Sequence, residues 1–374
     1  MKSSDFAKIY LALVIAVAAV AGLAGCNRHH HVLEVAYVSA PQASLRDQLV
    51  AVFNRTGTVK NGERVEVLDR EKRFARVRTA GGLEGWIEQR YLVDQKTYDG
   101  LQKITQDHKS DVAQAPGVLR NDTNLHITPG RESDHLYQLT TGAKVAILRR
   151  DTAEKASVAG SKPAGKTISK SGGKAASGPP LEDWWLVRDE HGRVGWVLAR
   201  MVDVDVPLEI AQYAEGQRFV AFFVLDEVID HGVPNALNKG SKSKDARGQG
   251  NTGAHPPPDT KSAPRSVPQY VCILTEARDG LPYDYDQIRV FTWNVKRHRY
   301  ETAYRERGLD GVLPVTVTKE DFDKEGTLPV FILRVKGDNG QVQERKYKLN
   351  TPMVRRVLAP GEEVSHKTAR HRKP

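Results

Sequence analysis

Two stretches of this chain carry one pattern. Leu45, Gly62, Val65 and Leu68 recur as Leu125, Gly142, Val145 and Leu148, always 80 positions later. Further on the offset becomes 110. Phe74, Val77, Gly82, Gly85 and Trp86 recur as Trp184, Val187, Gly192, Gly195 and Trp196. The 30 additional residues fall between Arg149 and Trp184, where Gly, Ser, Lys and Ala dominate. Gly160-Ser161-Lys162-Pro163 and Ser171-Gly172-Gly173-Lys174 have almost nothing to bury, so the insert reads as a disordered loop. A small domain can carry it, because closure entropy grows slowly with loop length.

Within each copy the spacing is that of strands. Val65 and Val67 alternate with Arg64 and Glu66; Val145 and Ile147 alternate with Lys144 and Ala146. Phe74-Ala75-Arg76-Val77-Arg78 and Trp185-Leu186-Val187-Arg188 continue the alternation. Gly81-Gly82 and His191-Gly192 then turn the chain into Gly85-Trp86-Ile87 and Gly195-Trp196-Val197. Short alternating strands joined by Gly turns predict a small barrel.

These residues resemble the bacterial SH3-like domain, which has a Gly opening an alternating strand (Gly62, Gly142) and an aromatic-x-x-Val strand (Phe74 to Val77, Trp184 to Val187). It closes on Gly-Trp-hydrophobic followed by an aromatic-Leu pair, here Tyr91-Leu92, with Met201-Val202 in the second copy. The resemblance covers about residues 33–93 and 116–204. It implies two SH3-like barrels that bind peptidoglycan peptides or another envelope protein.

Between the copies, Tyr98, Leu101, Ile104 and His108 recur at helical spacing, with Val112 one turn on, and predict a helical linker over 94–115. Pro207 and Gly216 bracket a short helix within 205–216. Phe219 to Leu225 reads as a buried strand. A Gly-, Ser-, Lys- and Pro-rich stretch at about 235–266 reads as disordered. Strand patterns resume at Tyr270-Val271-Cys272-Ile273-Leu274. Ile288–Trp293 pairs with Tyr300–Tyr304 as a hairpin, Val312–Val317 forms a further strand, and Thr318-Lys319-Glu320-Asp321 is a capping-box signature for one helical turn. Leu328–Val335 pairs with Val342–Leu349 around Asn339-Gly340. The expected fold is therefore mainly β: two small SH3-like barrels, then an antiparallel β domain over 217–358, with disordered insertions at about 151–182 and 235–266 and a basic tail at 359–374.

The N-terminus stands apart. Ile9 to Leu23 is an apolar run shorter than a spanning helix needs. It ends in Leu23-Ala24-Gly25-Cys26, which resembles the lipobox of bacterial lipoproteins. That resemblance makes residues 1–26 a signal peptide, Cys26 the lipidated residue and 27–32 a tether. Residue 27 is Asn rather than Asp, which favours the outer over the inner membrane. The expected location is a lipid-anchored, periplasm-facing position in the bacterial envelope.

The formal charge is +10, with 27% charged residues, which admits anionic lipid, cell-wall polymer or nucleic acid on charge alone. The compartment disfavours nucleic acid. Clusters at Arg70, Lys72, Arg73, Arg76 and Arg78, and at Lys296, Arg297, Arg299, Arg305 and Arg307, read as solvated faces. Trp86, Tyr91, Trp184, Trp185 and Trp196 are the ligand-binding candidates, because indole and phenol rings stack on extended peptides and sugar faces. Trp86 and Trp196 read first as core residues that close the barrels. Trp184 and Trp185 are adjacent, so a strand sends them to opposite faces and one should lie outside the core. Cys26 and Cys272 are the two cysteines. Cys272 lies in an apolar strand and reads as a buried small hydrophobe. The acidic Tyr283-Asp284-Tyr285-Asp286 reads as a turn. His29-His30-His31 is read as tether, with no metal and no cofactor expected, and no catalytic residue is assigned. The favoured function is a non-catalytic envelope lipoprotein. The alternatives are a scaffold subunit acting through its C-terminal β domain and, less favoured, a wall hydrolase.

Overall fold

A computed structural model of the chain describes residues 31–155, 179–231, 264–337 and 339–358. The chain divides into two compact units, Met1–Gln95 and Lys96–Pro374. Cys26, His29, His30, most of both expected insertions and the basic tail lie outside the described residues.

The first unit is a seven-stranded antiparallel sheet: β1 (Glu34–Val38), β2 (Gln42–Arg46), β3 (Arg55–Lys60), β4 (Arg64–Glu71), β5 (Phe74–Thr79), β6 (Glu84–Glu88) and β7 (Leu92–Asp94), with a 3-10 turn at Gln89–Tyr91. Its order is β3-β2-β6-β5-β4-β1-β7, so the expected barrel is an open sheet in its pairing. Alternate residues of six strands, among them Ala36, Leu45, Val59, Val65, Val77 and Ile87, share one buried cluster. The sheet therefore curls around its own apolar face, as period-2 alternation requires.

Helix α1 (Gln95–Asp107) starts on the last residue of the first unit, and the second unit, which holds the rest of it, repeats the same architecture. Its strands are β8 (Ala115–Leu119), β9 (Thr123–His126), β10 (His135–Leu139), β11 (Lys144–Glu154), β12 (Leu181–Asp189), β13 (Val194–Leu198) and β14 (Val202–Val204). Their order, β10-β9-β13-β12-β11-β8-β14, is that of the first sheet strand for strand. Even the irregularities match. The register slips at Leu68 between Val67 and Asp69, and at Leu148 between Ile147 and Arg149. Gly85 and Gly195 are needed where β2 and β9 cross closely: a Cβ on Gly85 would lie 2.7 Å from that of Leu45, and one on Gly195 2.8 Å from that of Leu125. The insert is shorter than its composition implies, because β11 runs on to Glu154 and β12 starts at Leu181. Backbone pairing from Thr152↔Asp183 to Glu154↔Leu181 extends the hairpin into polar sequence. The linker helix stops at Asp107, and Val112 lies beyond it, exposed.

A short helix, α2 (Leu208–Ala211), leads into a sequential seven-stranded meander. Its strands are β15 (Gln217–Asp230), β16 (Arg265–Glu276), β17 (Tyr285–Asn294), β18 (Arg299–Phe322), β19 (Gly326–Lys336), β20 (Val342–Asn350) and β21 (Met353–Val357). The two hairpins pair as read, through Trp293↔Tyr300 and Lys336↔Val342. Two expectations fail here. Tyr300–Tyr304 and Val312–Val317 are parts of the single strand β18, and Thr318–Asp321 continues it by pairing with Val330 to Thr327. Long-range pairing outweighs the local helix signal. Arg265 and Ser266 already belong to β16.

Candidate functional site

The two sheets present one outer face in two chemical versions. In the first copy, β2, β6 and β5 lie side by side, with Arg46 opposite Trp86 and Trp86 opposite Arg76. Phe74 stands opposite Glu88, and Arg78 opposite Glu84. Residues directly opposite in an antiparallel pair point the same way. The outer face is therefore a Trp between two arginines, bordered by Phe74, Glu84 and Glu88. The intervening residues Leu45, Ala75, Val77 and Ile87 fill the core.

This corrects the reading of Trp86. The core position is Ile87; Trp86 is half-buried on the outer face because adjacent strand residues alternate sides. Arg46 binds the surrounding rings. Its guanidinium sits 4.1 Å from the centre of Phe53 and 5.1 Å from that of Phe74, and its nearest approach to Glu88 is 3.8 Å. Arg76 meets Glu84 at 2.8 Å. Beside this row, Ser44, Arg46, Phe53, Arg55, Glu88 and Tyr91 line a groove of about 260 Å³. Arg90 fixes Tyr91, donating to its hydroxyl at 2.9 Å, and reaches Glu88 at 2.8 Å. The groove thus offers cations for a carboxylate, a carboxylate for an amine, and ring faces for an apolar chain.

In the second copy three of the same positions are apolar and the fourth is a histidine. His126 replaces Arg46, Leu186 replaces Arg76, Val194 replaces Glu84 and Leu198 replaces Glu88. Trp196 stands opposite His126 and Leu186, and Trp184 opposite Leu198. Trp184, Leu186, Val194, Trp196 and Leu198 cluster with Leu148 and Met201 and with Ile104 of α1, so the helix covers the face. Thr105 Oγ1 accepts the Val194 N–H at 3.0 Å. His126 donates its Nδ1–H to the Ser133 carbonyl at 2.9 Å, and its ring meets Trp184 edge-on at 5.2 Å. Burial lowers the His126 pKa, against the opposing pull of that carbonyl.

The five aromatic candidates therefore separate. Trp184 and Trp185 are each 2% exposed and Trp196 is 9% exposed. The expectation that one of the adjacent pair lies outside the core fails because the outer face has its own cover. Trp86 and Tyr91 stay on the open copy. Arg46, Phe53 and Glu88 join them and were not among the sequence candidates. Their signal is present in the repeat: charged residues in one copy align with apolar residues in the other.

The second copy and the meander are joined by buried charge. Arg150 of β11 meets Asp183 of β12 at 2.6 Å and Asp284 at 3.2 Å, with side-chain exposures of 3%, 0% and 15%. Arg218 of β15 also meets Asp183 at 2.5 Å, and the Gly280 N–H donates to it at 2.9 Å. Burial would raise the Asp183 pKa, but these donors hold it low; burial raises that of Asp284. Asp284 is thus a buried partner rather than a free turn residue. Gln114 adds a second link, accepting the Phe222 N–H at 3.1 Å on its carbonyl and the Val315 N–H at 2.7 Å on its side chain.

Cys272 is fully buried in β16, and burial pushes its thiol pKa up, away from the thiolate a nucleophile needs. Among the described residues, no group of three His, Cys, Asp or Glu side chains converges for a metal. The basic clusters are largely paired: Arg78 with Glu66, Arg297 with Glu301, Arg305 with Glu215.

No curated protein matches this chain. Among solved structures it is similar to NlpC2 from Trichomonas vaginalis, at 14% identity over 49% of this chain and 54% of that one, with a TM-score of 0.15. It is also similar to an NlpC/P60 family protein from Bacillus cereus, at 13% identity over 51% and 64%, with a TM-score of 0.22. The chain thus spans less than two thirds of either structure, and such scores do not amount to a common overall architecture. The family described as Bacterial SH3 domain matches residues 50–93, which hold β3 to β6 and most of β7 together with Phe53, Trp86, Glu88 and Tyr91. That segment of this chain is a bacterial SH3 domain.

Proposed function

We propose that this chain is an exported, non-catalytic envelope lipoprotein, anchored through lipid on Cys26, whose first SH3-like domain binds the peptide part of peptidoglycan. The observation that supports the binding site is the contrast between the two outer faces. A face of Arg46, Arg76, Glu84 and Glu88 around Trp86 stays hydrated at little cost, while burying such ions costs several kcal/mol each. The apolar version carries a helix instead. Wall stem peptides present carboxylates, amines and short apolar side chains, which match the groove donors, Glu88 and the Phe53–Tyr91 rings. The second copy, with the same strand order, is an SH3-like domain used as a structural adaptor to the C-terminal meander.

Sedimentation with purified sacculi tests this. The full chain should pellet with the wall, and Arg46→Ala combined with Trp86→Ala should weaken pelleting about tenfold, the loss expected from about 1.4 kcal/mol of contact. Pelleting that ignores the double substitution would overturn the site; no pelleting at low salt would overturn wall binding.

A further inference from the structure

Between β2 and β3 the first SH3-like domain carries Leu49-Val50-Ala51-Val52-Phe53, five apolar residues in succession. They are not core. Val50 is 54% exposed, Val52 86% and Phe53 36%. The loop is nevertheless held closed at its base. Asp47 accepts the Asn54 backbone N–H and side-chain amide, each at 2.9 Å, and donates its own N–H to the Asn54 carbonyl at 3.1 Å. The equivalent loop of the second copy, Thr128-Pro129-Gly130-Arg131-Glu132-Ser133-Asp134, is polar. An ordered loop that offers apolar side chains to water in one copy alone marks an interaction surface.

We propose that this loop docks into the surface of a phospholipid bilayer, with Val50 and Val52 entering the headgroup–acyl boundary and Arg55 and Arg73 meeting lipid phosphates. Nearness to the bilayer rests on the anchored reading given above. Seven residues separate Cys26 from Glu34 and, extended, they span roughly 27 Å. A series of contacts places the loop on the side where the tether joins the sheet. Arg70 pairs with Glu34 and donates to Gln89 at 3.0 Å, and Gln89 donates to the Phe74 carbonyl at 2.9 Å. Arg46 then bridges the Phe74 and Phe53 rings. Arg55 and Arg73 are exposed. Apolar tips with basic neighbours bind at the interface by burying the tips and pairing the cations with anionic headgroups.

The test places an environment-sensitive fluorophore on Val52→Cys, in the lipidated chain and in a Cys26→Ser chain. Cys272 is fully buried and will not label. With vesicles of phosphatidylethanolamine and phosphatidylglycerol, emission should shift to the blue and be quenched by brominated acyl chains. A label on Ala80→Cys, at the exposed β5–β6 turn, should do neither. Val50→Asp should weaken vesicle binding of the Cys26→Ser chain about tenfold, since a carboxylate replaces a buried methyl pair. A Val52 label silent in both chains, or one that responds only to added envelope protein, would overturn the proposal. Mass spectrometry of the natural chain reports separately on Cys26, so loss of the anchor reading would leave a vesicle response of the Cys26→Ser chain standing.

Discussion

Replacing Trp86 and Trp196 by alanine, one at a time, sets the same residue type at the same point of two copies of one sheet against opposite expectations. Trp196 is 9% exposed and packed among Leu148, Leu186, Val194, Leu198 and Ile104. A buried indole removes about 200 Å² from water, worth about 5 kcal/mol at about 25 cal/mol per Å², and buried Trp→Ala changes cost about 3–5 kcal/mol. We expect about 4 kcal/mol for Trp196→Ala, seen as a fall of roughly 1–2 M in the urea midpoint of the second unit. Trp86 is half-buried and its strand neighbours are Arg46 and Arg76. Its replacement should cost about 2 kcal/mol or less, since about half the area is at stake. Binding to sacculi should order the other way: Trp86→Ala weakens it and Trp196→Ala leaves it unchanged wherever the protein is folded. Far-UV circular dichroism in urea and pelleting with sacculi give the two readouts on the same samples. Equal destabilisation by the two changes would make the first face a second core, and the reasoning that places a ligand there would fail.

Four further outcomes follow from buried groups. Asp183→Ala should cost about 3 kcal/mol in urea unfolding of the second unit, because it strands the buried Arg150 with Asp284 and backbone carbonyls alone. Asp284→Asn should cost less than about 1 kcal/mol, because burial already penalises the Asp284 charge. The His126 pKa is lowered in the fold, so the unfolded chain binds more protons and stability falls as pH drops below about 6.5 toward the folded value. His126→Gln should flatten that dependence between pH 7 and pH 5, and an unchanged slope would exonerate the His126 site. Gly85→Ala should cost about 1–3 kcal/mol by overpacking, since its Cβ would lie 2.7 Å from the Leu45 Cβ; thermal melting of the first unit checks it.

Much of the fold is legible in residue spacing, and the reasons are local. Offsets of 80 and 110 align β9 with β2, β11 with β4, β12 with β5 and β13 with β6. The match fades before Leu45 because β8 follows β1 by 81 residues, Ala115 against Glu34. Where local and long-range signals disagree, local reading fails. Thr318-Lys319-Glu320-Asp321 carries a helix-start pattern, yet pairing with Val330 to Thr327 takes it into β18. The insert's polar flanks look unstructured, but ladder hydrogen bonds extend through Thr152 to Glu154 regardless of side-chain polarity.

The site was half legible. Trp86 and Tyr91 stand out as aromatics, whereas their burial does not follow from residue type. What decides it is the residue across the ladder, and that becomes visible only when the copies are compared at the outer face. The Asp183–Arg150–Asp284 contact had no signal at all: Asp284 lies 134 positions from Arg150, each is ordinary in its own segment, and they meet only once the meander folds against the second copy.

The inner and outer faces of a strand are specified by alternate residues, so one face can change while the other keeps its core. Leu45 and Leu125, Val77 and Val187, and Ile87 and Val197 maintain the curled sheet in both copies. The outer residues are free to differ, and physical chemistry forces the two versions apart. Arg46, Arg76, Glu84 and Glu88 could not be roofed by a helix like α1 without desolvating four ions, at a cost no helix of that length would offset. His126, Leu186, Val194 and Leu198 around Trp196 could not be left bare without exposing a contiguous apolar patch. A copy must therefore either keep its face wet and available or close it for good. The charge content of those few alternate positions then separates the face that stays open to water in the first copy from the face that packs against α1 in the second.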